Sequence, residues 1–440
     1  MKKQDTIILG AGMTGLATGI TSNAPVFEAQ NQPGGICSSY YIRPNEKERL
    51  TAAPEDDEAY RFEIGGGHWI FGGDPVLTQF INSMAPAKSY NRRSSVYFRE
   101  IDTYVPYPLQ NHLGYLDKNI ALKAILEMTD TPGSIPTTME EWLLQSFGKT
   151  LHELFFAPFH RLYTANLYKV IAPQDPYKSP VNIKLALQGA FDKIPPAIGY
   201  NTTFLYPANG LDALARKMAA QCNIQYDKEV IEIDAKKKNV SFKDGTNIQF
   251  DRIISTLPLN RTMEMTGSHV ESKTAPYSSV LVLNIGAKRG EQCPDDHWLY
   301  NPDPKSGFHR VGFYSNVDVS FLPSSSREAN DSVSIYVERA FPGGEHPAQE
   351  EVEEYAAEVV SELQGWDFIT TPEVVDPTWI DVAYTWSWPG SNWVNEATQK
   401  LQEQNIFPLG RYAAWSFQGI ANSIRDGFMI GGSFKNYQDS

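Results

Sequence analysis

A chain of 440 residues is long for a single core, so about two or three domain-sized units are expected. Its 41% hydrophobic and 12% aromatic content excludes a disordered chain. The net charge of −14, from 52 acids against 38 bases, argues against a nucleic-acid surface or an anionic membrane as partner and says nothing against a local basic pocket.

The chain opens with an apolar run too short for a signal peptide, and no stretch approaches the roughly 18 apolar residues of a membrane helix. Three scattered cysteines, Cys37, Cys222 and Cys293, lack CxxC spacing and argue against a disulfide framework or a zinc site. A cytoplasmic protein with no metal is expected.

Ile7, Ile8 and Leu9 read as a buried strand, followed by Gly10-Ala-Gly12-Met-Thr-Gly15 and a short helical pattern, Leu16 to Ile20. In that arrangement Gly10 turns the chain, Gly12 lets a pyrophosphate approach the backbone, and Gly15 lets the helix pack on the strand with its positive end toward the phosphates. A second strand, Ala24 to Phe27, ends on Glu28, whose carboxylate suits a ribose hydroxyl. Strand, glycines, helix and acid together predict an adenine-dinucleotide site. Gln32-Pro33-Gly34-Gly35 follows; by itself it is a turn, and it resembles the FAD signature of the amine oxidase and UDP-galactopyranose mutase superfamily.

A charged stretch from Arg43 to Tyr60 reads as a solvated loop. Then come Gly65-Gly66-Gly67-His68-Trp69, glycines that free the backbone for close approach to a flat ligand. The segment resembles the loop that mutases of eukaryotic type set against the flavin ring, which implies that Gly67 contacts the cofactor and that His68 lies near the flavin N5. From Gly73 to Tyr200 the pattern is largely helical, with helices expected over Pro75 to Met84, Asn119 to Met128 and Thr138 to Phe147. His152 to Val170 resembles the family's helical substrate domain, although Phe155, Phe156 and Phe159 read first as core. Leu211 to Gln221 is an amphipathic helix, and short strands from Ile224 to Ser255 form a β-meander returning to the parallel sheet. In the family the strand carrying Val230 passes the adenine.

Tyr277 to Ala340 is strand-rich, Pro323 to Asp331 reads as a flexible loop, and Glu351 to Gln364 as an acidic amphipathic helix. The closing run through Gly410, Arg411, Asn422 and Ser423 resembles the family's last segment, where a helix start faces the flavin's pyrimidine end. The resemblance covers nearly the whole chain. It implies an α/β fold: a discontinuous Rossmann-type FAD-binding domain with a β-meander (residues 1–74, 201–260 and 400–440), a helical substrate part (75–200) and an antiparallel-sheet part (261–399).

Substrate residues also follow from the resemblance. Arg310 matches an arginine that contacts the diphosphate, whereas Val317, Trp388 and Phe417 stand where the mutases keep tyrosines. A second basic group is missing from Ala172 to Asn182, with Lys178 the nearest candidate. Each charged hydrogen bond lost would weaken diphosphate binding by roughly 1.5–3 kcal/mol. The expected function is therefore an FAD-dependent oxidoreductase taking a hydride from a small substrate, with His68 and Arg310 as catalytic residues. The alternatives are a reduced-flavin mutase acting on a sugar nucleotide and a non-catalytic flavin-binding protein.

Overall fold

The computed structural model describes residues 3–130, 134–173, 181–192 and 201–438, the first two and the last four of these without their side chains. Two seven-stranded sheets organise it. In the first, Lys3–Leu9 lies parallel between Val26–Phe27 and Asn247–Ser255, with Ile7 opposite Ile253 and Ile8 opposite Val26. Ile224–Gln225 extends one edge, Ile406–Pro408 pairs with Asn247–Ser255, and the antiparallel strands Asn239–Phe242 and Val230–Asp234 complete the sheet. Ile7, Ile8 and Leu9 are wholly buried because helices and strands cover both faces, as a parallel sheet requires. The last part of the expected meander is one continuous nine-residue strand, Asn247–Ser255.

The second sheet runs in the order Ile369–Thr385, Tyr277–Arg289, Ser332–Pro342, Arg310–Phe313, Trp298–Tyr300, Ser94–Phe98 and Thr103–Pro106. Its last two strands come from a region read as helical; Ala87–Asn91 is a further strand there, in a separate three-stranded sheet. Ser94–Phe98 forms a local antiparallel pair with Thr103–Pro106 and joins the sheet through the distant strand Trp298–Tyr300, a pairing that no local pattern announces. The loop expected at Pro323 to Asp331 contains a short helix, Ser324–Ala329, packed beside Ser332–Pro342.

Helices stand near their expected places. Pro75–Met84 matches its reading and is capped by Asp74, whose side chain accepts from Leu77 N. Met139–Leu151 starts at a capping box in which Thr138 and Glu141 bond reciprocally, and it is interrupted at Gly148 (φ 73°). The next turn, His152–Phe156, is a π-helix, a form concentrated at functional sites. It leads into Ala157–Tyr163. The glycine-bearing segment after Asn422 belongs to a long helix, Ile420–Gln438, which packs on the first helix, Met13–Ser22. Among the described residues no helix is long and apolar enough to cross a membrane.

Candidate active site

One cavity of about 670 Å³ runs from the Gly10 turn to the helical region. At its nucleotide end the glycines divide into two kinds. A Cβ on Gly15 would stand 1.9 Å from the Gly10 carbonyl oxygen, so Gly15 is where helix touches strand; it does not line the cavity. A Cβ on Gly12 would meet no protein atom within 4 Å; Gly12 lines the cavity and precedes Met13–Ser22, a helix whose start has no side-chain cap. Its free N–H groups make an anion cradle.

Glu28 also lines the cavity, accepting from Ala11 N (2.6 Å) and Gln30 N (2.9 Å). Burial pushes its carboxyl up, opposed by these amides. Gly34, Gly35, Gly67, Gly410, Arg411, Asn422 and Ser423 line the same cavity. Gly410 is left-handed (φ 89°), and a side chain there would strike Thr14 Oγ1 at 2.5 Å. Asn422 and Ser423 lie in the first turn of Ile420–Gln438, whose start borders the cavity. Val230 is packed in the core with Phe27 and Phe242 and does not line the cavity.

The triple glycine before His68 has a cause the sequence did not reveal. Only Gly66 is left-handed (φ 73°), and side chains would be blocked by Ile36 O at Gly65 (2.6 Å), Glu338 Oε1 at Gly66 (2.9 Å) and Tyr336 OH at Gly67 (2.0 Å). The loop is pressed flat against the second sheet, which sets His68 on the cavity wall. Burial, then the Arg411 charge, lowers the His68 pKa to about 4, and its Nδ1 has no hydrogen-bond partner. The unfolded imidazole protonates near pH 6.5 and the folded one only near 4, so His68 costs stability as pH falls through that window. His68→Gln is expected to flatten the stability–pH slope between those values, read from urea midpoints at fixed pH; an unchanged slope would refute it.

Arg310 lines the cavity and is paired across strands with Glu338. Nε donates to Oε2 (2.9 Å) and Nη2 to Oε1 (2.5 Å). Despite burial, this guanidinium holds the Glu338 carboxyl at about pKa 2. His309 Nε2 lies 3.3 Å from Glu338 Oε2, yet neither ring nitrogen makes a hydrogen bond, and burial lowers its pKa. Sequence reasoning missed Glu338; the available signal was a lone acid inside the apolar run Ser332–Pro342.

Two expected substrate residues are corrected. Val317 ends a short helix and packs in the core with Tyr314 and Tyr206. Trp388 donates its Nε1 to Thr274 O (2.9 Å) with Lys273 Nζ 3.8 Å over its ring; neither residue lines the cavity. Phe417 does line it, under Arg411 (4.9 Å). Lys178 lies outside the described residues. The argument from missing hydroxyls therefore changes, because Tyr163, Tyr300 and Tyr384, which sequence reasoning did not assign, line the cavity, as does Arg92. Phe155, Phe156 and Phe159 are core, as read, and also border the cavity.

A cradle open at Gly12, an acid at the second strand's end and a helix start at the far end fit FAD, and together they define a dinucleotide-dependent enzyme. The family model for flavin containing amine oxidoreductases matches residues 23–427, and the chain belongs to that family. It is an FAD-dependent enzyme with a UDP-galactopyranose mutase-like fold. A reduced UDP-galactopyranose mutase superposes with a TM-score of 0.83 at 20% identity, covering 99% of this chain and 96% of that one. Putrescine oxidase bound to putrescine gives 0.56 at 14% identity (98% and 99% covered). A fatty acid isomerase from P. acnes that produces CLA gives 0.55 at 15% identity (98% of each).

Proposed function

We propose that the protein is an FAD-dependent oxidoreductase acting on a small organic substrate by hydride removal, in the compartment facing the His68 loop. The Arg310–Glu338 pair carries this reading. A nucleotide-sugar mutase must hold a diphosphate while the anomeric bond breaks, which asks for converging positive charge. Here the guanidinium is engaged by both oxygens of a buried carboxylate, so an entering diphosphate would meet the Glu338 charge together with the arginine.

FAD, when bound, supplies the hydride acceptor. The chain's own residues orient the substrate and exclude water, and the neutral His68 offers a hydrogen bond without a charge. The Gly12 cradle and the start of Ile420–Gln438 would hold the cofactor's phosphates and ring oxygen, respectively.

A reduced-flavin mutase is the second reading, favoured by Tyr163 and Tyr384, cavity phenols that suit phosphate oxygens. Dithionite-reduced protein given UDP-galactofuranose, followed by chromatography, separates the two. No conversion is expected; turnover near the usual enzyme median of about 10 per second would establish the mutase instead.

A further inference from the structure

The cavity wall contains a belt of rings drawn from four separate parts of the chain. Tyr107 packs on Tyr300 (centroids 4.6 Å), Tyr300 on Phe159 (5.4 Å), Phe159 on Tyr163 (5.5 Å, interplanar 17°), and Tyr163 on Tyr384 (4.7 Å). Each ring is held by the next, so the surface is shaped before any ligand arrives. The belt is not sealed, since all four tyrosines keep part of their surface open and all line the cavity.

Tyr163 and Tyr384 make no hydrogen bond through their hydroxyls among the described residues. Burial drives both phenols well above their usual pKa, so they remain protonated donors. A donor without a protein partner in a ring-lined cavity is stabilised by an acceptor brought in by a ligand.

The arginines on this wall have part of their donor capacity already engaged by the protein. Arg310 is neutralised by Glu338, Arg411 donates to the carbonyls of Ala383 and Gln418, and Arg92 donates to that of Tyr107. His68 and His309 are held neutral by burial at ordinary pH.

Resting on the oxidoreductase reading above, we infer that this compartment selects a flat, uncharged ring bearing oxygen, of the aryl alcohol class. The ring lies against the aromatic belt, and its oxygen accepts the Tyr163 and Tyr384 hydroxyls.

The test is equilibrium binding to the FAD-loaded protein, read from the shift of the flavin's visible absorption, with naphthol, naphthoate, methylnaphthalene and UDP as probes. Naphthol is expected to bind at least about tenfold more tightly than naphthoate or UDP. Tyr163→Phe and Tyr384→Phe should each weaken naphthol roughly two- to twelvefold while leaving methylnaphthalene within about twofold. Both variants keep the ring, and their flavin content reports that the site is intact. Tighter binding of UDP or naphthoate, no binding of naphthol at millimolar concentration, or equal losses for naphthol and methylnaphthalene would each overturn the inference. Binding is read without turnover. Naphthalenemethanol, whose carbinol C–H can give a hydride to the flavin, separates the two readings: if it binds and does not bleach the oxidised flavin without oxygen, the oxidoreductase reading fails while ring selection stands.

Discussion

Gly12→Val is expected to give folded, colourless protein. No atom of the chain lies within 4 Å of where the new Cβ would sit, so the apoprotein should keep its far-UV circular dichroism and cooperative unfolding. The side chain would instead occupy the cradle at the start of Met13–Ser22. Overfilling a close-packed site costs roughly 1–3 kcal/mol, and each charged hydrogen bond from backbone to phosphate that is pushed out of reach removes roughly 1.5–3 kcal/mol more. FAD affinity should therefore fall at least about a hundredfold, measured by flavin released on denaturation and by titration of the apoprotein. Gly15→Val makes the contrast: its Cβ would collide with the Gly10 carbonyl oxygen at 1.9 Å, so folding itself should suffer. If Gly12→Val retains full flavin, the pyrophosphate does not lie at this turn.

Glu338→Gln should be the most damaging conservative change in the second sheet. Glu338 is 2% exposed and the Arg310 side chain 19%, so removing the carboxylate charge leaves a largely buried guanidinium uncompensated. Breaking a buried pair in this way costs roughly 3–5 kcal/mol, and the low end applies because Arg310 borders the cavity. The denaturant midpoint reports the loss. A double variant, Arg310→Met with Glu338→Leu, should recover much of it, since no unpaired charge remains.

The acid limb of stability gives a second check. The folded carboxyl is depressed to about 2 from an ordinary 4.5, so its contribution is complete above pH 4.5 and is lost as pH falls toward 2. Glu338→Gln should remove that part of the slope. The same variant bears on function, because freeing Arg310 should strengthen UDP binding by up to roughly 1.5–3 kcal/mol, the scale of a charged hydrogen bond. A variant of unchanged stability and unchanged UDP affinity would show that the pair neither stabilises the sheet nor screens the cavity.

What was legible in the sequence is what short spans of chain encode. Three glycines in one turn, an acid ending the next strand and the Gly34-Gly35 turn suffice for the dinucleotide site, because a strand, a turn and a helix are fixed by neighbours in sequence. The resemblance to flavoenzymes added the cofactor, and the family match agrees. The substrate wall is of another kind. Tyr107, Phe159, Tyr300 and Tyr384 come from a loop, a helix and two strands of different register, and nothing near any of them in sequence says that they meet. The 28-residue separation between Arg310 and Glu338 is closed by strand pairing, which alone converts an apparently available arginine into a neutralised one. Val317 and Trp388 enter the expected site only through the resemblance, yet the packing of Tyr314–Val317 turns one into the core and the hydrogen bond to Thr274 holds the other away from the cavity. Cofactor binding was thus determined by local geometry, whereas charge balance and substrate shape were decided only when the second sheet brought distant side chains within a few ångströms of one another.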